Sequence, residues 1–400
     1  MKIAMMTNNY KPFVAGVPVS IERLTDSLRE QGHQVVVFAP SYSGQEQEAD
    51  LVRYRSFLKG VAGGFSVPNS FDPGIEKQFR KGKFDVIHVH HPMMIGHTAR
   101  YLSAKYKVPL VLTYHTRYEQ YLHYVGLSAL KGIMPAYLRS CMKECDILIA
   151  PTPQIREDLK KMKVEAAVRV LPTGLPQDSF LPDQTEAANL RKQLLGDRDY
   201  LFCTVARLAK EKNLPFLFES LKIRKATVGG DFKLALIGAG PEEGHLKELA
   251  KNMGLFQEII FVGQVPNSQI KNYCMAADLF LFSSKSETQG IVLLEAMAAG
   301  TPVLAVSATG TKDVVISGEN GYLIRDDAGE FAAKLMDILE KGKLDWLRRG
   351  AVKTAEGYRC ERIAEEAVSI YNAAIRQRDA KRHIGRLSGK RQRDMLYSQG

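Results

Sequence analysis

Residues 278–306, DLFLFSSKSETQGIVLLEAMAAGTPVLAV, read as strand, loop, helix and strand. DLFLFSS (278–284) and PVLAV (302–306) are short apolar runs bounded by turn residues. Between them, residues 291–299 are rich in Ala, Leu and Met, which favours a helix. Apolar strands joined through a helix belong in a parallel sheet covered on both faces. Gly290, just before the helix, can let the backbone turn and approach a ligand closely. Glu287 falls in the loop and Glu295 inside the helix, with seven residues between them. The unpaired N–H groups of a helix start, with the macrodipole behind them, suit an anion. Ionised carboxylates only accept hydrogen bonds, so they suit hydroxyls and not phosphates. A ligand with hydroxyls at both ends and phosphates in the middle is a nucleotide-sugar. The plainer alternative is a loop and an amphipathic helix carrying two solvated acids.

The same alternation runs through most of the chain. KIAMMT (2–7) precedes a helix expected from about Ser20 to Gln31, with Ser20 as N-cap and Gly32 as the C′ residue. VVVFAP (35–40), DVIHVH (85–90), PLVLTYH (109–115) and DILIAP (146–151) follow. The pattern restarts at YLFCTVAR (200–207), KLALIGAG (233–240) and EIIFVGQV (258–265). LPTGLPQDSFLPDQ (171–184), rich in proline, lies between the two runs and reads as a hinge. The fold class is therefore α/β, with two Rossmann-like domains whose ligands bind at the C-terminal strand ends, in the cleft between them. The expected divisions are 1–172, a linker over 173–198, 199–375, and a tail over 376–400. FLKGVAGGFSVPNSFDPG (57–74) is expected to be a mobile loop near the cleft.

Composition narrows the class. Four hundred residues call for two domains, and 45% hydrophobic with 25% charged residues describes a globular protein. No apolar run is long enough to span a bilayer, and MKIAMMTNNYKPF reads as a strand entering a loop and not as a signal peptide. A cytoplasmic chain is expected. Five scattered cysteines make no disulfide framework and no paired metal motif. Histidines 88, 90, 91 and 97 cluster, but no acid or cysteine accompanies them at metal spacing, and alternation in a buried strand explains 88 and 90. No metal is expected. The net charge is +11, and residues 376–393 carry eight Lys/Arg against one Asp, which suits a polyanion or an acidic membrane, or a solvated tail.

The segment 286–300 resembles the Glu-x7-Glu signature of the retaining nucleotide-sugar glycosyltransferases of family 4, which have the GT-B fold. The resemblance covers residues 2 to about 371. It implies an N-terminal acceptor domain and a C-terminal donor domain. It implies that Glu287 holds the transferred sugar, Glu295 the nucleotide ribose, and Arg207 and Lys212, in ARLAKEKN, the diphosphate. Position at a strand end supports that role for Arg207, because a guanidinium fork matches phosphate oxygens. His115, ending PLVLTYH, is implied near the donor sugar, bonded to it or to the developing charge. Ala15-Gly16-Val17 stands where the family has a Gly-Gly-Val-like loop over the donor, so Gly16 and Val17 join the donor set with Val265, Thr288, Gln289, Gly290 and Ile291. The first glycine of that loop is lost here. LIGAGPEE (236–243) matches the turn that builds the wall of the C-terminal domain.

For the acceptor, TYHTRYEQYLHYVGLSALKGIMPAYLR (113–139) has five tyrosines among basic and apolar residues, a mixture suited to a membrane interface. It resembles the matching run of bacterial 1,2-diacylglycerol 3-glucosyltransferases, on Glu119, Tyr121, His123 and Tyr124. Arg117, Tyr118, Lys131 and Arg139 complete the expected acceptor and membrane set. Glu287-Thr288-Gln289-Gly290 and Pro172-Thr173-Gly174 point to the same glycolipid-forming branch. The resemblance thus implies hexose transfer, from UDP-glucose as co-substrate, to diacylglycerol at the inner membrane face, with no cofactor and no nucleic-acid partner. Phosphatidylinositol or a soluble sugar or polyol is the alternative acceptor. A basic polyanion-binding protein with a degenerate donor site is the alternative outside enzymes.

Overall fold

The computed structural model describes residues 1–13, 15–42, 48–61, 65–115, 133–340 and 342–397. It divides into two units, Met1–Gly174 with Glu361–Gly400, and Leu175–Cys360.

Unit 1 is built on a seven-stranded sheet in the order β3-β2-β1-β6-β7-β8-β9. Its strands are β1 (Lys2–Met6), β2 (Gln34–Pro40), β3 (Leu51–Tyr54), β6 (Val86–Val89), β7 (Leu110–Thr113), β8 (Ile147–Ala150) and β9 (Ala167–Val170). All neighbouring pairs are parallel. Ser56–Val61 (β4) and Phe65–Pro68 (β5) form an antiparallel hairpin where the sequence suggested only a mobile loop over 57–74. Helices α1 (Gly16–Glu30), α2 (Pro73–Gly82), α3 (Ile95–Tyr106), α4 (Met134–Met142) and α5 (Pro153–Lys161) cover the sheet. Alternate strand residues feed the two faces. Ile3, Met5, Val35, Val86, Val111 and Ile147 pack with Ile21 and Leu28 of α1. Ala4, Met6, Ile87, Leu110 and Leu148 pack with Ile75, Leu102, Leu138 and Ile155 of the other helices. Each fully buried large aliphatic side chain contributes roughly 1.5–3 kcal/mol.

Three expectations for this unit need correction. Helix α1 starts at Gly16, not near Ser20, because Ala15 takes the extended N-cap conformation and Pro18 is tolerated in a first turn. Ser20 is instead buried in the helix, where its Oγ accepts from Thr173 at 2.8 Å. Gly16 and Val17 are accordingly helical residues and not loop residues. The C-terminal stretch also differs. Cys360–Tyr397 is one helix, and Ile363, Ala364, Ala367, Ile370, Tyr371 and Ala374 pack into the unit 1 core. The start of the basic tail is tied down as well. Arg378 donates to Ser103 and Val108, and Arg378 and Lys381 flank the buried carboxylate of Asp146 at 3.6 and 3.4 Å. A buried carboxylate needs such partners.

Unit 2 holds a six-stranded parallel sheet in the order β12-β11-β10-β13-β14-β15. Its strands are β10 (Tyr200–Val205), β11 (Phe232–Ile237), β12 (Ile259–Gly263), β13 (Leu279–Phe282), β14 (Val303–Val306) and β15 (Gly321–Ile324). Its helices are α6 (Gln184–Leu195), α7 (Leu214–Val228), α8 (Glu243–Asn252), α9 (Asn267–Ala276), α10 (Ile291–Ala298), α11 (Ala328–Glu340) and α12 (Leu344–Glu356). Cys360–Tyr397 is then α13. The strand order is that of a Rossmann sheet, and it reverses between β10 and β13. Helix α6 occupies much of the expected linker, capped by Asp183 on the Glu186 amide at 3.0 Å and anchored by buried Ala187 and Leu190. The chain passes between units after Gly174 and again after Cys360. Among the described residues no helix is long and apolar enough to cross a membrane.

Candidate active site

The loops after β10 and β13 meet at the point where the unit 2 strand order reverses, the usual ligand position on such a sheet. The β10 loop lies against the β11 loop, with Ala206 and Leu208 amides donating to Ile237 and Ala239 carbonyls at 3.0 Å each. Two glycines make this approach possible. A Cβ on Gly238 would lie 2.0 Å from the Ala206 oxygen, and one on Gly240 would lie 2.3 Å from the Leu208 oxygen. LIGAGPEE therefore braces the Arg207 loop, and its glycines are needed for packing. Arg207 itself is exposed and has no ion-pair partner among the described residues.

Lys212 closes a 3₁₀ turn, Lys210–Lys212, ended by left-handed Asn213. The Ser283 hydroxyl donates to the Lys212 carbonyl at 2.9 Å, which joins this turn to the β13 loop. The Lys212 ammonium then forms an ion pair with the Glu287 carboxylate, the two side chains being 22% and 21% exposed. The sequence placed both at a ligand site but did not show that they neutralise each other.

Gly290 adopts the left-handed conformation, φ +70°, and is the N-cap of α10 with no side-chain cap. The first turn of α10 holds no acidic residue, so its N–H groups face no carboxylate of that turn. Gln289 is buried, Thr288 and Ile291 are half-buried, and Glu295 is half-buried just over one turn into α10. Val265 follows β12 and packs against the unit 2 core. A further loop, SATGT (307–311) after β14, joins the site although no sequence motif marked it. Thr309 bridges Ser286, and a Cβ on Gly310 would lie 2.7 Å from the Glu287 oxygen. Gly310 thus lets this loop seat the Glu287 backbone. The signal was a glycine a few residues beyond the apolar strand.

In unit 1 the parallel strands β6 and β7 bring four histidines together. His90 and His115 bond through Nδ1 and Nε2 at 2.8 Å, with stacked rings. His88 is bonded to Tyr371 Oη at 2.8 Å and to Thr113 Oγ1 at 2.7 Å. The Asn8 amide donates to His91 Nδ1 at 3.2 Å. Burial lowers His88 and His91 to about 3 and His115 to about 4, and it holds His90 well below the ordinary range. All four are neutral rings at neutral pH. Among the described residues no group of three or more His, Cys, Asp or Glu is placed to hold a metal.

Arg139 is exposed on α4, near Ile133 and Tyr137, which are 64% and 39% exposed. Arg117, Tyr118, Glu119, Tyr121, His123, Tyr124 and Lys131 lie outside the described residues.

Comparison with known proteins agrees with the fold. The model "Glycosyltransferase Family 4" matches residues 14–178, and "Glycosyl transferases group 1" matches residues 186–351. The alpha-monoglucosyldiacylglycerol synthase of Streptococcus pneumoniae is 32% identical over 331 residues, covering 76% of this chain and 71% of that protein. Its counterpart in Acholeplasma laidlawii is 27% identical, over 95% of this chain and 99% of that protein. A GDP-mannose-dependent alpha-mannosyltransferase of Mycolicibacterium smegmatis is 26% identical, over 83% and 86%. HepE of Anabaena, solved in complex with UDP, superposes with a TM-score of 0.75 at 18% identity, covering 93% of this chain and all (100%) of that one. The two family matches and the overall similarity to these relatives show that this chain is a glycosyltransferase of family 4, with the GT-B fold.

Proposed function

We propose that this enzyme is a retaining, metal-independent hexosyltransferase that moves glucose from UDP-glucose to a hydroxyl of 1,2-diacylglycerol at the inner face of the cell membrane. One observation carries the donor half: Arg207, Lys212, Glu287 and the uncapped start of α10 all follow β10 and β13, at the switch point of one sheet. Lys212 and Glu287 are paired with each other. A bound diphosphate takes over Lys212 and releases Glu287 to the sugar hydroxyls. Arg207 and the α10 N–H groups add to the neutralisation as charge grows on the leaving oxygen. Glu295 takes the ribose hydroxyls.

The bond from sugar C1 to the diphosphate oxygen breaks, and a bond from C1 to the acceptor oxygen forms on the same face. The acceptor proton passes to the departing phosphate. No second carboxylate is assigned as nucleophile. The lipid acceptor is supported by the two synthases above and by exposed Ile133, Tyr137 and Arg139.

The test is release of nucleoside diphosphate from UDP-glucose and, in parallel, from GDP-mannose, with and without diacylglycerol in anionic vesicles. Lipid-stimulated release of UDP is expected. Release unaffected by lipid discards the acceptor, and release of GDP alone discards the donor. Salt-sensitive RNA binding with no donor turnover discards the enzyme reading.

A further inference from the structure

His90 and His115 come immediately after two adjacent parallel strands, β6 and β7, and share one hydrogen bond at 2.8 Å. Which ring gives the hydrogen is settled on the far side of His90. There its Nε2 lies 2.8 Å from the Met5 sulfur on β1. A thioether can only accept, so His90 Nε2 carries the N–H. His90 is buried and neutral, and a neutral imidazole has one N–H. Its Nδ1 is therefore an acceptor, and the hydrogen between the rings belongs to His115 Nε2. That leaves the His115 Nδ1 with its lone pair. His115 also borders a small pocket of about 20 Å³, walled by Ser20, His90, Thr113 and Thr173 and sized for a single hydroxyl or water.

We propose that His90 is a positioning residue: it locks His115 in the Nε2–H tautomer, so that His115 meets a substrate hydroxyl as a hydrogen-bond acceptor through Nδ1. This decides between the two roles open to His115, and it excludes a neutral N–H aimed at the developing negative charge. The substrate half rests on the transferase reading above, whereas the tautomer stands apart from it. Met5 belongs to the same device, since its sulfur sets the direction of the whole chain of bonds. The Nε2–H tautomer follows from three residues on three neighbouring strands or strand ends.

The experiment is long-range ¹H–¹⁵N spectroscopy of the histidine rings in the full chain, with transfer kinetics on the same samples. His115 is expected as a single Nε2–H tautomer near neutral pH. In His90→Phe, which offers no acceptor, His115 becomes a tautomer mixture and kcat/KM falls about tenfold, the scale of one lost hydrogen bond. In His90→Gln, the amide oxygen accepts from His115, which keeps the tautomer and restores most of kcat/KM. A purely structural role for His90 would not separate these two variants. An Nδ1–H His115 in the wild type overturns the proposal, and that reading needs no variant to fold. So does a folded His90→Phe protein with unchanged tautomer and kinetics. An Nε2–H His115 in a wild type that transfers no sugar overturns the hydroxyl partner and the transferase reading, and leaves the His90–His115 bond standing.

Discussion

The two units handle polar groups at their strand ends in opposite ways. In unit 2 the loops after β10 and β13 carry charges that water still reaches, with Lys212 and Glu287 each about one-fifth exposed and Arg207 open. In unit 1 the ends of β6 and β7 carry neutral rings, with His88 and His90 sealed from water and His115 half-buried, bonded to one another, to Tyr371 and to Thr113. A partly wet charge pair can exchange partners at little cost when a polyanion arrives. A dry network cannot, because each group stripped of its partner costs about 1–3 kcal/mol. On the proposed function, unit 2 receives the charged donor and unit 1 holds geometry.

The largest test of that contrast is Arg207→Ala or Glu287→Ala. Either substitution should lower sugar transfer by about 10²–10³-fold with the fold intact by circular dichroism, the scale of losing one preorganised charge-stabilising group. Normal turnover in pure, folded Arg207→Ala protein would remove the donor-site assignment.

Next comes Gly238→Ala. The added Cβ would meet a backbone oxygen at 2.0 Å, with φ at +132°. About 2–3 kcal/mol of unit 2 stability should go, read as a lower denaturant midpoint for that unit alone.

Acid should separate the units further. Burial sets the folded pKa of His88 and His91 at about 3 and of His115 at about 4, against about 6.5 in an unfolded chain. The unfolded chain therefore binds protons first as pH drops. The stabilisation is whole above about pH 6.5 and drains as pH falls toward the folded values, by up to about 2 kcal/mol per histidine at about pH 5. Thermal unfolding from pH 7 to about 5 should shift the unit 1 transition more than that of unit 2.

The smallest effect belongs to Tyr371→Phe. It removes one hydroxyl from His88 and should cost about 1 kcal/mol, measured as unit 1 stability, with donor turnover unchanged.

The same contrast explains what the sequence made legible. Strands such as LFLF and VLAV are continuous apolar runs, and any parallel sheet covered on both faces needs them. Arg207, Lys212, Glu287 and Glu295 are charged residues at strand ends or helix starts, where position alone suggests a ligand. His115 was found only through resemblance to a family. Its bond to His90, and the role of Met5, depend on strand neighbours that are far apart in sequence. The return of α13 to unit 1 was hidden for a similar reason. Its apolar face packs against α1 and β2, some 330 residues earlier by the Gln31–Glu361 bond, and no local pattern encodes that distance. The start of α1 was misplaced because Ser20 suits an N-cap locally, while Thr173 gives its hydroxyl a partner inside the fold. The hairpin β4–β5 was missed because glycine and proline signals outweighed its short strands.

The most direct test of the central claim is to incubate the purified wild type with labelled UDP-glucose and diacylglycerol in anionic vesicles, extract the lipid, and determine the anomer by NMR. The account predicts a labelled glucosyl-diacylglycerol with an α linkage. A β-linked product would contradict retention, and no labelled lipid, with donor consumed into another acceptor, would contradict the assigned substrate.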